Sequence, residues 1–108
     1  MMIRWLKSLF SRPSPNEFLE KEPIILDVRS ASEYRAGHIR GSRHIPLDQL
    51  RGKIEEVRKW GKPVLTCCAT GRRSGIAAGQ LKSAGIEAMN GGGWRQLDKR
   101  IQEYKKKG

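Results

Sequence analysis

The stretch KPVLTCCATGRRSGIAAGQLKSAG, residues 62–85, changes character twice. Residues 62–68 form a short, nearly continuous apolar run, the pattern of a strand buried on both faces. From Ser74 onward the small residues Gly75, Ala77, Ala78 and Gly79 predict a helix able to lie close against a sheet. Between strand and helix sits a loop carrying Arg72 and Arg73, and the two adjacent cysteines, Cys67 and Cys68, stand immediately before it. In open α/β sheets, working sites form where the carboxyl ends of strands meet loops and helix N-termini. The expected site is therefore this loop.

The same alternation extends outward. PIILDV, 23–28, is a second buried strand; SRHIPL, 42–47, is extended because Pro46 biases its predecessor toward β geometry; IEAMN, 86–90, is a brief strand. Helices are predicted over SPNEFLEK, with Ser14 or Asn16 as cap, over SASEYRAGHI (30–39), over 47–61 as one segment ending at Gly61, and over WRQLDKRIQEYKKK at the end of the chain. Strands alternating with helices imply crossovers and a mainly parallel sheet. Pro13 and Pro15 mark the boundary between a leading segment, 1–13, and a single domain, 14–108.

Composition limits the function classes. With 22 Lys and Arg against 11 Asp and Glu in 108 residues, the net charge of +11 draws anions toward the surface without choosing among them. The aromatic residues are few and not interleaved with the basic ones, which argues against a specific nucleic-acid surface. Neighbouring cysteines bridge poorly and close no useful loop, so free thiols and a reducing, cytoplasmic setting are expected. There is no CxxC, and His38 and His44 lack metal-ligand spacing, so neither a metal nor a cofactor is expected. In residues 1–12, Met2, Ile3, Trp5, Leu6, Leu9 and Phe10 share one helical face and Arg4, Lys7 and Arg12 the other. This amphipathic basic segment is too short to span a bilayer and is expected to pack on the domain, on a second copy, or weakly on a membrane surface.

The loop itself has a chemical reading. Unpaired N–H groups at the start of a helix point inward and favour both an anion and a thiolate at Cys68, with Arg72 and Arg73 reinforcing the effect. Cys67, the last inward residue of the strand, is expected to behave as a small hydrophobe.

Three ordered motifs then resemble a single rhodanese (sulfurtransferase) domain: LDVRSASEYRAGHIRGSRHIPL (26–47), CATGRRSG (68–75) and NGGGWRQL (90–97). The resemblance implies an α/β fold with a five-stranded parallel sheet flanked by helices on both faces. It implies that Cys68 accepts a sulfane sulfur as a persulfide and passes it on, without metal. By analogy, Ala69, Thr70, Gly71, Arg72, Arg73 and Ser74 hold the donor and the persulfide; Arg73 braces the loop or the bound anion, Arg72 either steers the donor or is simply solvated, and Asp27 and Arg29 tie the loop to the strand ends. Donors in the family include thiosulfate and persulfides; acceptors include cyanide and thiols. Four residues separate Cys68 from Arg73, one fewer than in related phosphatase and arsenate reductase loops, so the ring suits a sulfur atom better than a phosphate. Ala69 departs from the basic or larger polar residue that many thiosulfate-using members carry, which opens the way to a protein persulfide donor. His38 and His44 are read as structural, since a thiolate attacking such donors needs no separate base. Trp94 and Gly91–Gly93 are read as a core plug and a turn. The competing reading is a noncatalytic module in which the loop senses an anion or docks a partner.

Overall fold

Residues 13–107 are described by the computed structural model; the reading of the leading segment falls outside them. Helix α1 (Pro15–Leu19) starts where the Ser14 hydroxyl accepts the Glu17 N–H at 3.1 Å, with Pro15 at the first helical position where its missing N–H costs nothing. Strand β1 (Ile24–Asp27) leads to α2 (Ala31–Ala36). A capping box opens α2: the Ser30 hydroxyl accepts the Glu33 N–H at 3.3 Å and the Glu33 carboxylate accepts the Ser30 N–H at 3.0 Å. There follow β2 (Arg43–His44), α3 (Leu47–Leu50), a 3₁₀ turn (Arg51–Lys53), α4 (Ile54–Lys59), β3 (Val64–Cys68), α5 (Arg72–Ser83), β4 (Ala88–Gly93) and α6 (Trp94–Lys107).

The sheet is parallel throughout, in the order β2-β1-β3-β4. Every residue of β3 is buried, and alternation sends its side chains into two different cores. Val64 and Cys68 face a cluster with Leu26, Val28, Leu50, Val57, Ala77, Ala78 and Leu81, beneath α3, α4 and α5. Leu65 and Cys67 face Phe18, Leu19, Leu97 and Ile101, beneath α1 and α6. Helices thus cover both faces, which is why β3 reads as a continuous apolar run rather than an alternating one. Among the described residues no helix is long and apolar enough to cross a membrane.

Three features depart from the sequence-based expectation. The described residues contain four strands rather than five, because the segments outside these strands are capped helices and connections with no further apolar β run. The helix expected over 47–61 is broken, since Gly52 weakens its interior and Lys53 leaves the helical basin at φ −123°, ψ 14°. Leu50 and Val57 are nonetheless fully buried, so both halves of the broken segment still turn an apolar side chain to the core.

The third departure concerns Gly91–Gly93, which continues β4 instead of forming a separate turn. Register shifts between Thr66 and Cys68 opposite this run, bringing β4 hard against β3. A Cβ on Gly91 would lie 2.6 Å from the Thr66 carbonyl oxygen and 2.9 Å from Leu97 Cδ2, one backbone and one tightly packed contact. Gly91→Ala is therefore expected to destabilise the fold by about 1–3 kcal/mol. Gly79→Ala, on exposed α5 surface with nothing within 4 Å, should stabilise it by about 0.5–1 kcal/mol. Thermal denaturation of the two variants beside the parent distinguishes these signs; equal midpoints would contradict the close approach.

Candidate active site

Strand β3 delivers Cys68 to the carboxyl edge of the sheet, and the chain must then reverse within three residues to start α5. Gly71 makes the reversal at φ 100°, ψ −7°, a left-handed conformation that an L side chain adopts only with strain. Space is tight there as well, since a Cβ would approach Gly92 Cα at 3.3 Å. The helix consequently begins at Arg72, two residues before Ser74.

The reversal wraps the loop around one sulfur atom. The Gly71 N–H donates to Cys68 Sγ at 3.0 Å and the Ser74 N–H at 3.3 Å, with Ser74 Oγ also 3.3 Å away. Burial alone pushes the Cys68 thiol up, but the Ser74 hydroxyl and the Ser74, Gly71 and Thr70 N–H groups outweigh it and hold the thiol below its ordinary value. The neighbouring cysteine has the opposite fate. Burial first, and the Asp27 charge second, push Cys67 up to about 12, against a lowering contribution from Arg29. Adjacent thiols on one strand are therefore chemically distinct, Cys68 polarised toward thiolate and Cys67 inert.

The ring is deep rather than open: Cys68 is 0% exposed. Ala69 and Thr70 are exposed above it and border a cleft of about 540 Å³ that is also lined by Arg29, Glu33, Gly93, Trp94, Arg95 and Gln96. Trp94 is only half-buried, with Arg29 stacked 4.7 Å and Arg95 5.1 Å from its ring, so it forms a wall of this cleft as well as packing inward. That role goes beyond the core plug read from the sequence.

Of the loop arginines, Arg73 braces. Its guanidinium grips Glu33 through two parallel hydrogen bonds of 2.7 and 3.0 Å, joining α5 to α2. Arg72 is exposed and takes part in no ion pair among the described residues. Asp27 and Arg29 form a second brace, fully inside the protein. Arg29 Nη2 meets Asp27 Oδ2 at 2.7 Å, Arg29 Nε bonds both carboxylate oxygens at 3.0 Å, and Nη2 also reaches the Gly37 carbonyl at 2.7 Å. The histidines are tied up away from the sulfur. The His38 ring stacks on Tyr34 at 3.7 Å and its Nδ1 lies 2.7 Å from the Tyr34 carbonyl; His44 stacks on the other side at 4.4 Å, with Nε2 2.8 Å from the Arg29 carbonyl.

Sequence reading missed two participants. Glu33 was visible as a capping-box residue, but nothing in the sequence reveals that the same carboxylate holds Arg73, 40 positions away. Asn90 precedes the glycine run and gives no signal of its own, yet its Oδ1 accepts the Ser74 hydroxyl at 2.7 Å and its Nδ2 donates to the Gly71 carbonyl at 3.0 Å.

Comparison with known proteins identifies the family. Residues 4–100 match the rhodanese-like domain family, and the chain belongs to it. The chain is 37% identical over 83 residues to YqhL of Bacillus subtilis (strain 168), an uncharacterized protein, covering 75% of this chain and 65% of that one. It is 32% identical over 85 residues to a tRNA sulfurtransferase of Thermoplasma acidophilum, covering 79% of this chain and 17% of that protein. The match thus spans less than two thirds of either relative's length. Among solved structures, a rhodanese-like domain protein from Staphylococcus aureus is similar at a TM-score of 0.63 and 28% identity, over 84% of this chain and 79% of that one.

Two outcomes follow from the electrostatics. Iodoacetamide at neutral pH should alkylate Cys68 in the folded protein and leave Cys67 untouched until denaturant is added; peptide mass mapping reads the ratio, and comparable labelling of both thiols would contradict their assigned environments. The Arg73 and Ser30 hydrogen bonds hold the Glu33 carboxyl at about 2 against an ordinary 4.5. Because the folded-state value is the lower one, the stabilisation from this group is present above about 4.5 and disappears as pH falls toward about 2. Glu33→Gln should lower stability at neutral pH and flatten that part of the acid limb, as measured by urea denaturation across a pH series; parallel limbs in parent and variant would show that the brace contributes nothing.

Proposed function

We propose that the chain is a rhodanese-type sulfurtransferase in which Cys68 carries a sulfane sulfur from thiosulfate or a persulfide donor to a thiol or cyanide acceptor. One observation carries the reading: a single thiol, Cys68 Sγ, is ringed by the N–H groups of Gly71 and Ser74 at 3.0 and 3.3 Å and favoured as the thiolate. Family membership and the sulfurtransferase name of a relative support it.

The reaction divides into two displacements. In the first, the Cys68 thiolate attacks the outer sulfur of the donor; a bond forms between Sγ and that sulfur, the donor's S–S bond breaks, and its electron pair leaves on sulfite or on a thiolate. In the second, the acceptor attacks the outer sulfur of the persulfide, and the electrons of the broken S–S bond return to Cys68. No net redox change occurs in the enzyme. The loop amides hold negative charge in both resting and loaded states, because the persulfide is an anion like the thiolate it replaces.

The depth of the sulfur bears on the donor. Arg73 and Arg29 already face carboxylates, so Arg95 on the cleft wall and exposed Arg72 are the loop-side cations without an ion pair among the described residues. Ala69 adds no polar group where the donor enters. This arrangement suits a persulfide that threads one sulfur into the ring while its carrier stays outside, and a protein carrier is consistent with the +11 net charge. A cytoplasmic setting fits the two free thiols.

Incubation with thiosulfate and cyanide, and separately with a glutathione persulfide donor, should yield thiocyanate and a one-sulfur mass increment on Cys68. Cys68→Ser should reduce turnover to the uncatalysed background. If no donor loads Cys68, the protein is a binding module and the sulfurtransferase reading fails.

A further inference from the structure

Asn90 is held in one orientation by two contacts that leave its amide no freedom to flip. Its Nδ2 donates to the Gly71 carbonyl, which can only accept, at 3.0 Å; its Oδ1 accepts the Gly92 N–H, which can only donate, at 2.9 Å. The oxygen that faces Ser74 Oγ at 2.7 Å is therefore an acceptor, and the Ser74 hydroxyl must give it its one proton. That same hydroxyl oxygen lies 3.3 Å from Cys68 Sγ. A serine hydroxyl has one hydrogen, so it cannot donate to Asn90 and to the sulfur at once.

We propose that Asn90 is a positioning residue that competes with Cys68 for the Ser74 proton, so that the thiol and thiolate forms of Cys68 correspond to two settings of one hydroxyl. In the thiol form the Cys68 S–H donates to Ser74 Oγ and the Ser74 O–H donates to Asn90 Oδ1. When the S–H proton leaves to water at the cleft, the Ser74 O–H turns to the thiolate, and Asn90 Oδ1 keeps the Gly92 N–H. The Gly71 and Ser74 N–H groups stay on the sulfur in both forms, so the hydroxyl is the only donor of the ring that changes partner. Asn90 thereby restrains ionisation, favouring the thiol by one hydrogen bond, while its Nδ2 fixes the Gly71 carbonyl and with it the turn.

The other charges around the two cysteines are Arg73 from α5 with Glu33 from α2, Asp27 with Arg29 from the end of β1, and exposed Arg72 at the start of α5; Arg95 of α6 lines the cleft. Cys67 stays protonated. None of these groups is altered by a substitution at position 90 that is itself uncharged, so a change in Cys68 ionisation there reports on the hydroxyl.

The inference concerns ionisation and is read without sulfur transfer, so it stands or falls separately from the proposed activity. The rate of Cys68 alkylation against pH gives its apparent pKa. Asn90→Leu removes the competing acceptor and should lower that value by about half to one pH unit, the scale of one hydrogen bond. In a Ser74→Ala background the same substitution should produce no downward shift. Were Asn90 merely a brace for the turn, its loss would loosen the amides and raise the value in both backgrounds, and that result would overturn the proposal. The infrared S–H stretch of the parent at a pH where Cys68 is protonated, assigned by subtracting the Cys68→Ser spectrum, gives a test that needs no Asn90 variant. A stretch displaced to lower frequency than in Ser74→Ala is expected; coincident stretches would rule out the S–H to Oγ bond.

Discussion

The ring around Cys68 depends on one backbone conformation, the φ of 100° at Gly71. That turn aims the Gly71 N–H at the sulfur and starts α5 early enough for the Ser74 N–H to follow. Its geometry is in turn held from outside the loop. Asn90 anchors the Gly71 carbonyl, and the Thr66 hydroxyl anchors the Ser74 carbonyl at 2.7 Å. The first anchor depends on β4 running against β3 at a separation that tolerates no side chain at Gly91, so the glycine run of β4 is a condition of the ring's geometry. A catalytic turn of this kind stores little strain in itself, because glycine accepts φ near 100° freely; the constraint lies in the packing that leaves it no alternative.

A second layer of control is electrostatic. Asp27 and Arg29 are 0% and 4% exposed, and removing either partner of such a pair leaves a buried uncompensated charge, typically at a cost of about 3–5 kcal/mol. Satisfied as it is by the Gly37 carbonyl and by both carboxylate oxygens, the pair joins the end of β1 to the approach to β2. Arg73 with Glu33 does the same between α5 and α2, half in solvent. Two of the arginines nearest the sulfur are thus structural, and the thiolate is stabilised chiefly by neutral N–H and O–H dipoles. Under the proposed sulfur transfer, such a ring of dipoles would serve a site whose charge stays at −1 through loading and unloading, whereas a closely paired arginine would hold a departing anion such as sulfite.

Much of this was legible in the chain. The apolar run at 64–68, the small residues of 74–79 and the capping pair Ser30–Glu33 each encode their element locally, and local patterns survive folding when tertiary packing agrees with them. Which of the two cysteines the loop surrounds was equally readable, since it follows from which residue ends the strand. What could not be read were relations between distant residues of ordinary type. Asn90 meets Ser74, and Glu33 meets Arg73, only because β4 and α2 flank the loop in space; neither residue departs from what a solvent-facing position tolerates. The glycine run was misread as a turn for a related reason. Glycine's backbone freedom is a property of the residue, while the need for its missing side chain is a property of the neighbouring strand.

The adjacency of the two cysteines finds its explanation in strand geometry. Successive side chains of β3 point to opposite faces, so one residue of separation in sequence places the two sulfurs in different surroundings. Cys67 enters the core with Phe18, Leu97 and Ile101, where burial and the Asp27 charge push its ionisation up to about 12. Cys68 turns to the α5 side, where the Gly71 and Ser74 N–H groups donate to the sulfur at 3.0 and 3.3 Å and the Ser74 hydroxyl lies 3.3 Å away. The pair is for the same reason a poor disulfide, since bridging the two would pull one sulfur through the sheet. Alternation thus places one thiol in the ring of donors and the other in the core, where burial and the Asp27 charge oppose its ionisation.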